Sequence, residues 1–95
     1  MRYGFTMAET PELIVYTSPD CCLCDDAKAA LAGLAPRLGV TVRYVDISGD
    51  AELERTWREQ LPAGVFAGKK VFKYHVDAVL LERRVAAWRV AQAAG

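Results

Sequence analysis

The sequence predicts a single α/β domain with the element order β-α-β-α-β-β-α. Short β-prone runs alternate with helical apolar patterns over the first two thirds of the chain. A strand–helix–strand unit of this kind forms a right-handed parallel pair. The last two β-prone runs are separated only by Gly68-Lys69, which is typical of an antiparallel hairpin. Together these observations predict a mixed four-stranded sheet with helices on both faces.

The first βαβ unit is carried by three segments in succession. Leu13–Thr17 is short, apolar and β-branched, which indicates a buried strand. A helical stripe then follows on one face, at Leu23, Ala27, Ala30, Leu31 and Leu34. Pro36 is expected to end this helix, because the residue before a proline avoids helical geometry. Val40–Val45, rich in β-branched residues, predicts the second strand.

The second half predicts a helix, a hairpin and a last helix. Asp50 is the expected N-cap of the second helix, which Pro62 ends. Residues 63–74 form the hairpin, and Asp77 caps the last helix. The apolar stripe of that helix is Ala78, Leu81, Val85 and Trp88. Trp57 and Trp88 both fall on apolar stripes, so both are expected in the core.

Size and charge restrict the class of protein. The 95 residues leave room for one domain, and 53% hydrophobic residues supply a core. Twelve Lys and Arg balance twelve Asp and Glu, which argues against binding to nucleic acid or an anionic membrane. No apolar run approaches the roughly 18 residues of a membrane span, and the first residues do not resemble a signal peptide. We therefore expect a cytoplasmic monomer, with residues 1–10 as a flexible extension and residues 11–95 as the domain.

Three cysteines lie within four residues, where the first strand meets the first helix: Cys21, Cys22 and Cys24. Structural disulfides normally tie distant segments, so this clustering indicates redox or metal chemistry. At a helix start, the spacing of Cys21 and Cys24 puts both on one side, within a small adjustment of disulfide geometry. Free N–H groups at a helix N-terminus favour a thiolate there. An exposed first cysteine can then attack a disulfide, and the second can displace it.

Together with its flanking segments, the CxxC motif resembles glutaredoxin. The resembling segments are Thr17–Cys24 after a strand, the Val-Asp-Ile run at 45–47, and Leu61-Pro62 before a hairpin. The chain is still more similar to the small glutaredoxin-like proteins of the thioredoxin superfamily, over residues 12–90. The resemblance implies a thioredoxin/glutaredoxin-like fold and a thiol–disulfide oxidoreductase, with Cys21 as nucleophile and Cys24 as resolving thiol.

The resemblance also implies how a substrate is held. The Leu61–Pro62 bond is expected to be cis, with Pro62 facing the CxxC and the Leu61 backbone pairing with the substrate chain. Asp77 falls about one residue late for the substrate-binding carboxylate of glutaredoxins. No bound cofactor is expected, since the Cys21–Cys24 pair itself cycles between dithiol and disulfide. The expected partners are a disulfide-containing protein or low-molecular-weight thiol substrate, and an external reductant: glutathione, another small thiol or a reductase protein.

The chain departs from the glutaredoxin pattern in three places. Glutaredoxins usually have a basic residue shortly before the CxxC, whereas this chain has Asp20, which puts a negative charge beside Cys21. The inner dipeptide Cys22-Leu23 has neither proline nor an aromatic residue. Phe72-Lys73-Tyr74 occupies the region of the usual glutathione-contacting diglycine. Bulky side chains there oppose glutathione binding, which needs a close approach of the backbone.

A second interpretation of the cysteine cluster is that the domain is a binding module, in which the CxxC does not undergo redox turnover. Three thiolates suit Zn²⁺ or Cu⁺. However, Cys22 and Cys24 diverge on a helix, and a fourth ligand would have to be His75 or come from outside the chain. The module could instead dock a protein partner, or the thiols could be inert. We expect no metal site, and a surface position for His75.

Overall fold

The computed structural model describes residues 11–94. Its elements follow the predicted order, so the predicted α/β fold class is confirmed. The four strands are β1 (Glu12–Thr17), β2 (Thr41–Asp46), β3 (Ala63–Phe66) and β4 (Lys69–Lys73). The helices are α1 (Cys24–Leu38), α2 (Ala51–Trp57), a 3₁₀ turn that continues it (Arg58–Gln60), and α3 (Ala78–Ala94). The extension expected at residues 1–10, like residue 95, lies outside the described residues.

The four strands form one mixed sheet in the order β2-β1-β3-β4. β1 pairs with β2 in parallel, from Glu12 opposite Thr41 to Thr17 opposite Asp46. β1 pairs with β3 antiparallel, and β3 with β4 antiparallel. The central strand is therefore β1, and the cysteine segment follows directly from its carboxyl end.

Helices cover both faces of the sheet, as predicted. Leu13 and Val15 of β1 are fully buried on the face covered by α1 and α3. Tyr16 points to the opposite face, where its ring stacks on Trp57 of α2 with centroids 4.6 Å apart. This alternation is the period of two that a strand imposes on its side chains. The core cluster comprises Leu13, Val15, Leu31, Leu34, Ala35, Val40, Phe66, Val71, Phe72, Leu81 and Val85.

The sequence predicted that helix α1 ends at Pro36, and this prediction is wrong. The helix continues to Leu38 and ends at Gly39, whose φ of 72° is the left-handed conformation of a helix C-cap. Proline in the last turn removes one backbone hydrogen bond, but the buried Leu34 and Ala35 hold this turn against the core. Tertiary packing therefore outweighs the local preference. The apolar stripe is also narrower than predicted, because Ala30 is exposed.

The two tryptophans lie at the margins of the core, which corrects the prediction that they are core residues. Trp57 is half-buried, because α2 is a short helix whose residues are all at least partly exposed. Trp88 is half-buried and makes an edge contact with Phe66, at 6.3 Å between centroids. The predicted caps are confirmed: Asp50 accepts the Leu53 N–H at 3.1 Å. Among the described helices, none is long and apolar enough to cross a bilayer.

Arg89 of α3 ties that helix to the end of α1. Its guanidinium donates hydrogen bonds to the carbonyls of Leu38 (2.8 Å) and Gly39 (3.2 Å). Carbonyls at a helix C-terminus have no partner within the helix, and a positive charge there complements the helix dipole. The close approach also suits Gly39, since a Cβ at this position would lie 2.7 Å from the guanidinium.

Replacing Arg89 with Met tests this contact. We expect Arg89→Met to lower the free energy of unfolding by about 1 kcal/mol, because charge-assisted bonds at a largely exposed site fall at the low end of their range. Urea unfolding is the measurement. Arg83→Met is the matched control, since Arg83 is an exposed arginine of the same helix. An equal loss in both variants would contradict the account.

Candidate active site

Two consecutive turns carry the cysteines from β1 to α1. The Cys21 N–H donates to the Ser18 carbonyl at 3.2 Å, which closes a turn with Pro19 and Asp20 at its centre. Serine followed by proline is a favoured start for such a turn. The Cys24 N–H then donates to the Cys21 carbonyl at 3.4 Å. Cys24 is the first residue of α1, so Cys21 lies in the turn just before the helix, at the predicted junction of β1 and α1.

The three free thiols differ in exposure. Cys22 is exposed, Cys21 is half-buried, and Cys24 is buried with 5% of its surface accessible. Burial raises the pKa of Cys24 to about 11, and a hydrogen bond with the Cys21 side chain adds to the rise. The Ser18 backbone and the Lys28 charge act in the opposite direction. Cys24 is therefore a protonated, protected thiol at neutral pH, next to a more accessible one.

A cleft of about 400 Å³ opens beside Cys21, and we call it the Leu61 cleft. It brings Cys21 and Leu61 together, as the resemblance implied. The Leu61–Pro62 peptide bond is cis, which confirms that expectation. Pro62 itself is fully buried, and its carbonyl accepts the Tyr74 N–H at 2.7 Å. The residues lining this cleft are Ser18, Asp20, Cys21, Cys22, Leu23, Ile47, Ser48, Glu54, Arg58, Leu61 and Tyr74.

A second cleft, of about 390 Å³, opens on the other side of Cys21. We call it the Lys28 cleft. Its lining includes both Cys21 and Cys24, so it reaches the buried thiol that the Leu61 cleft does not. Lys28 of α1 and Asp46 of β2 supply charged groups to this cleft. Cys21 therefore lies between two clefts of similar volume, and only one of them contacts Cys24.

Two residues of the Leu61 cleft, Tyr74 and Arg58, were not predicted as site residues from the sequence. Tyr74 has a φ of 69°, the left-handed conformation that glycine favours, in the region where glutaredoxins carry a diglycine. Its hydroxyl donates to the Glu59 carbonyl at 2.6 Å, which holds the ring over the cleft. The missing diglycine was the only signal for Tyr74. Arg58 gave none, because the 3₁₀ turn that positions it follows α2 without a pattern of its own.

A further cleft, of about 800 Å³, adjoins the Leu61 cleft and shares Glu54, Arg58 and Tyr74 with it. Its lining has cations and anions in near balance, Arg55, Arg58 and Lys73 against Glu54 and Glu59. It does not reach a cysteine. The two smaller clefts are therefore the ones that matter for thiol chemistry.

Asp77 and His75 lie apart from the cysteine clefts, and the buried Pro62 does not line either cleft. An Asp77 carboxylate oxygen accepts the Leu80 N–H at 3.0 Å, so the residue caps α3 as predicted. The lining of both cysteine clefts excludes Asp77, and its part in substrate binding stays a prediction. His75 is exposed at the end of the hairpin, as expected. Within residues 11–94, no three His, Cys, Asp or Glu side chains are grouped closely enough to hold a metal ion.

The raised pKa of Cys24 makes the stability of the reduced protein depend on pH. The ordinary value is 9.0 and the folded value is about 11, so the thiol binds its proton more tightly in the folded state. This stabilisation is complete below pH 9.0 and is lost as the pH rises through about 11. The loss is of the order of 3 kcal/mol. Urea unfolding under reducing conditions should show a smaller decline in Cys24→Ala, and identical declines would contradict the assignment.

Comparisons with known proteins agree with this fold. No curated protein matches the chain. The solution NMR structure of protein Ne2328 from Nitrosomonas europaea is similar in fold, with a TM-score of 0.72 and 22% identity over 88% of this chain and 98% of that one. The model of the glutaredoxin-like domain family (DUF836) matches residues 12–86. That span contains the CxxC, the cis proline and all four strands, and the chain belongs to the glutaredoxin-like domain family.

Proposed function

We propose that the protein is a thiol–disulfide oxidoreductase in which Cys21 attacks a disulfide and Cys24 resolves the product. The supporting observation is the asymmetry between the two thiols. Cys21 is half-buried and lines two clefts, whereas its neighbour Cys24 is buried and holds its proton. The attacking thiol must be reached by a substrate, and the resolving thiol must stay protected until a mixed disulfide forms.

The reaction consists of two exchanges. The Cys21 thiolate attacks one sulfur of the substrate disulfide; a Cys21–substrate disulfide forms, and the other substrate sulfur leaves as a thiol. Cys24 then loses its proton and attacks the Cys21 sulfur. A Cys21–Cys24 disulfide forms, and the second substrate sulfur leaves and takes up a proton. The substrate gains two electrons, and an external thiol reductant later returns two to the protein.

The Leu61 cleft is the proposed substrate groove. Leu61 lies at its wall directly before the buried Pro62, which supports the proposed pairing of the Leu61 backbone with an extended substrate segment. The side chain of Tyr74, 40% exposed, covers the region where glutaredoxins approach glutathione with bare backbone. A protein disulfide is therefore the favoured substrate. The proposed enzyme is a monomer of the reducing cytoplasm, and its reductant is a small thiol or a reductase protein.

Trapping the mixed disulfide tests the assignment of roles. We expect Cys24→Ser to accumulate a covalent adduct with a disulfide substrate such as insulin, because the second exchange is blocked. Non-reducing electrophoresis with mass spectrometry identifies the adduct at Cys21.

The two remaining cysteines supply the controls. Cys22→Ser should turn over like the unmodified protein, and Cys21→Ser should form no adduct at Cys24. An adduct at Cys22 in place of Cys21 would contradict the proposal. If no cysteine reacts and the purified protein carries Zn²⁺ or Cu⁺, the binding-module reading replaces it.

A further inference from the structure

The Lys28 cleft contains a charged group that the two-cysteine reaction leaves unexplained. Lys28 lies four residues after Cys24 on α1, so the two side chains share one side of the helix. Both line the same cleft with Cys21. The Lys28 ammonium sits over the ring of Tyr44, 5.3 Å from its centroid, within the range of a cation–π contact. Tyr44 of β2 therefore holds the cation at the mouth of the cleft that reaches Cys24.

The other titratable groups of this cleft do not supply a positive charge. They are Cys21 from the turn, Asp25 from α1, and Tyr44 and Asp46 from β2. The Asp46 carboxylate accepts the Ser48 N–H at 2.8 Å, which lowers the pKa of that carboxyl and keeps it anionic. Lys28 is thus the one cation among the described residues that line this cleft. Its charge acts on Cys24 in the direction that favours the thiolate.

We propose that Lys28 is a positioning residue for the resolving step, where its ammonium stabilises the Cys24 thiolate. The inference rests on the proposed function. Buried Cys24 must become a thiolate before it can attack the Cys21–substrate disulfide, and desolvation opposes that charge. The proton leaves through the Lys28 cleft to water, the Cys24–Cys21 bond forms, and the substrate sulfur departs with the electron pair and takes up a proton. Lys28 stays charged throughout and offsets part of the desolvation.

A single-thiol protein tests the electrostatic claim without reference to turnover. In Cys21→Ser/Cys22→Ser, Cys24 is the remaining cysteine, and the rate of its alkylation by iodoacetamide between pH 7 and 9 reports its thiolate. We expect Lys28→Met to slow this reaction about two- to fourfold at a fixed pH below the Cys24 pKa, since the greater nucleophilicity of a more basic thiol offsets part of the lost thiolate. Between pH 7 and 9, where an ordinary lysine carries its charge, the rate–pH profile of Lys28→Met should lie below that of the parent protein by this factor.

Two lysine variants separate charge from structure. Lys28→Arg keeps the charge and should restore the alkylation rate and profile. Lys69→Met removes a positive charge from the hairpin, and Lys69 lines neither cysteine cleft. This control should leave the alkylation rate and its pH profile unchanged. Thermal unfolding by circular dichroism checks that each variant is folded, and Lys28→Gln replaces Lys28→Met if the latter is not.

The second readout is the resolving step itself, in Cys22→Ser protein with Cys21 and Cys24 intact. After reaction with Ellman's reagent, attack by Cys24 releases thionitrobenzoate from Cys21, and Lys28→Met should slow this release by a similar factor. An alkylation profile that does not respond to Lys28→Met in folded protein overturns the inference. A profile that responds, with no release from Cys21 in any variant, supports the electrostatic effect of Lys28 on Cys24 but overturns the proposed function, and with it the role of Lys28 in a resolving step.

Discussion

The pairing of β1 with a strand on each side determines where the chemistry can occur. β2 pairs with β1 in parallel, and β3 pairs with it antiparallel. At the end of β1, Thr17 therefore lies opposite Asp46 of β2, and Tyr16 lies opposite Ala63 of β3. The cysteine turn that follows β1 is therefore flanked by the end of β2 and by the segment that enters β3. These two flanks become the walls of the Lys28 cleft and the Leu61 cleft. Both clefts depend on this one register, because a shift would move the cysteines away from Leu61.

Burial of Cys24 gives the two thiols different properties despite their identical chemistry. Helix α1 starts at Cys24 and turns it towards the sheet, whereas Cys21 stays in the turn before it. Desolvation then disfavours the Cys24 thiolate, and the Lys28 charge limits that effect. A protected thiol beside an accessible one is the arrangement that two-step exchange requires. Without the buried stripe of α1 that continues through Leu31 and Leu34, nothing would hold this difference in place.

The sequence allowed prediction of those parts that depend on local pattern. The buried strand at Leu13–Thr17, the capping aspartates and the CxxC were all visible without coordinates. Other parts depend on distant contacts. Pro36 remains helical because its turn packs on the core, and Tyr74 enters the site only after the hairpin folds back on the 3₁₀ turn, where its hydroxyl meets the Glu59 carbonyl. Such contacts leave no periodic signal in the chain.

The redox equilibrium of the cysteine pair is the most direct test of the central claim. Metal-free protein would be equilibrated with glutathione redox buffers, and peptide mapping would identify the paired cysteines. The account predicts a reversible Cys21–Cys24 disulfide with a midpoint between about −270 and −180 mV, the range of thioredoxin-type and glutaredoxin-type proteins and protein disulfide isomerase. Absence of this disulfide at every redox poise, or its replacement by a bond to Cys22, would contradict the account.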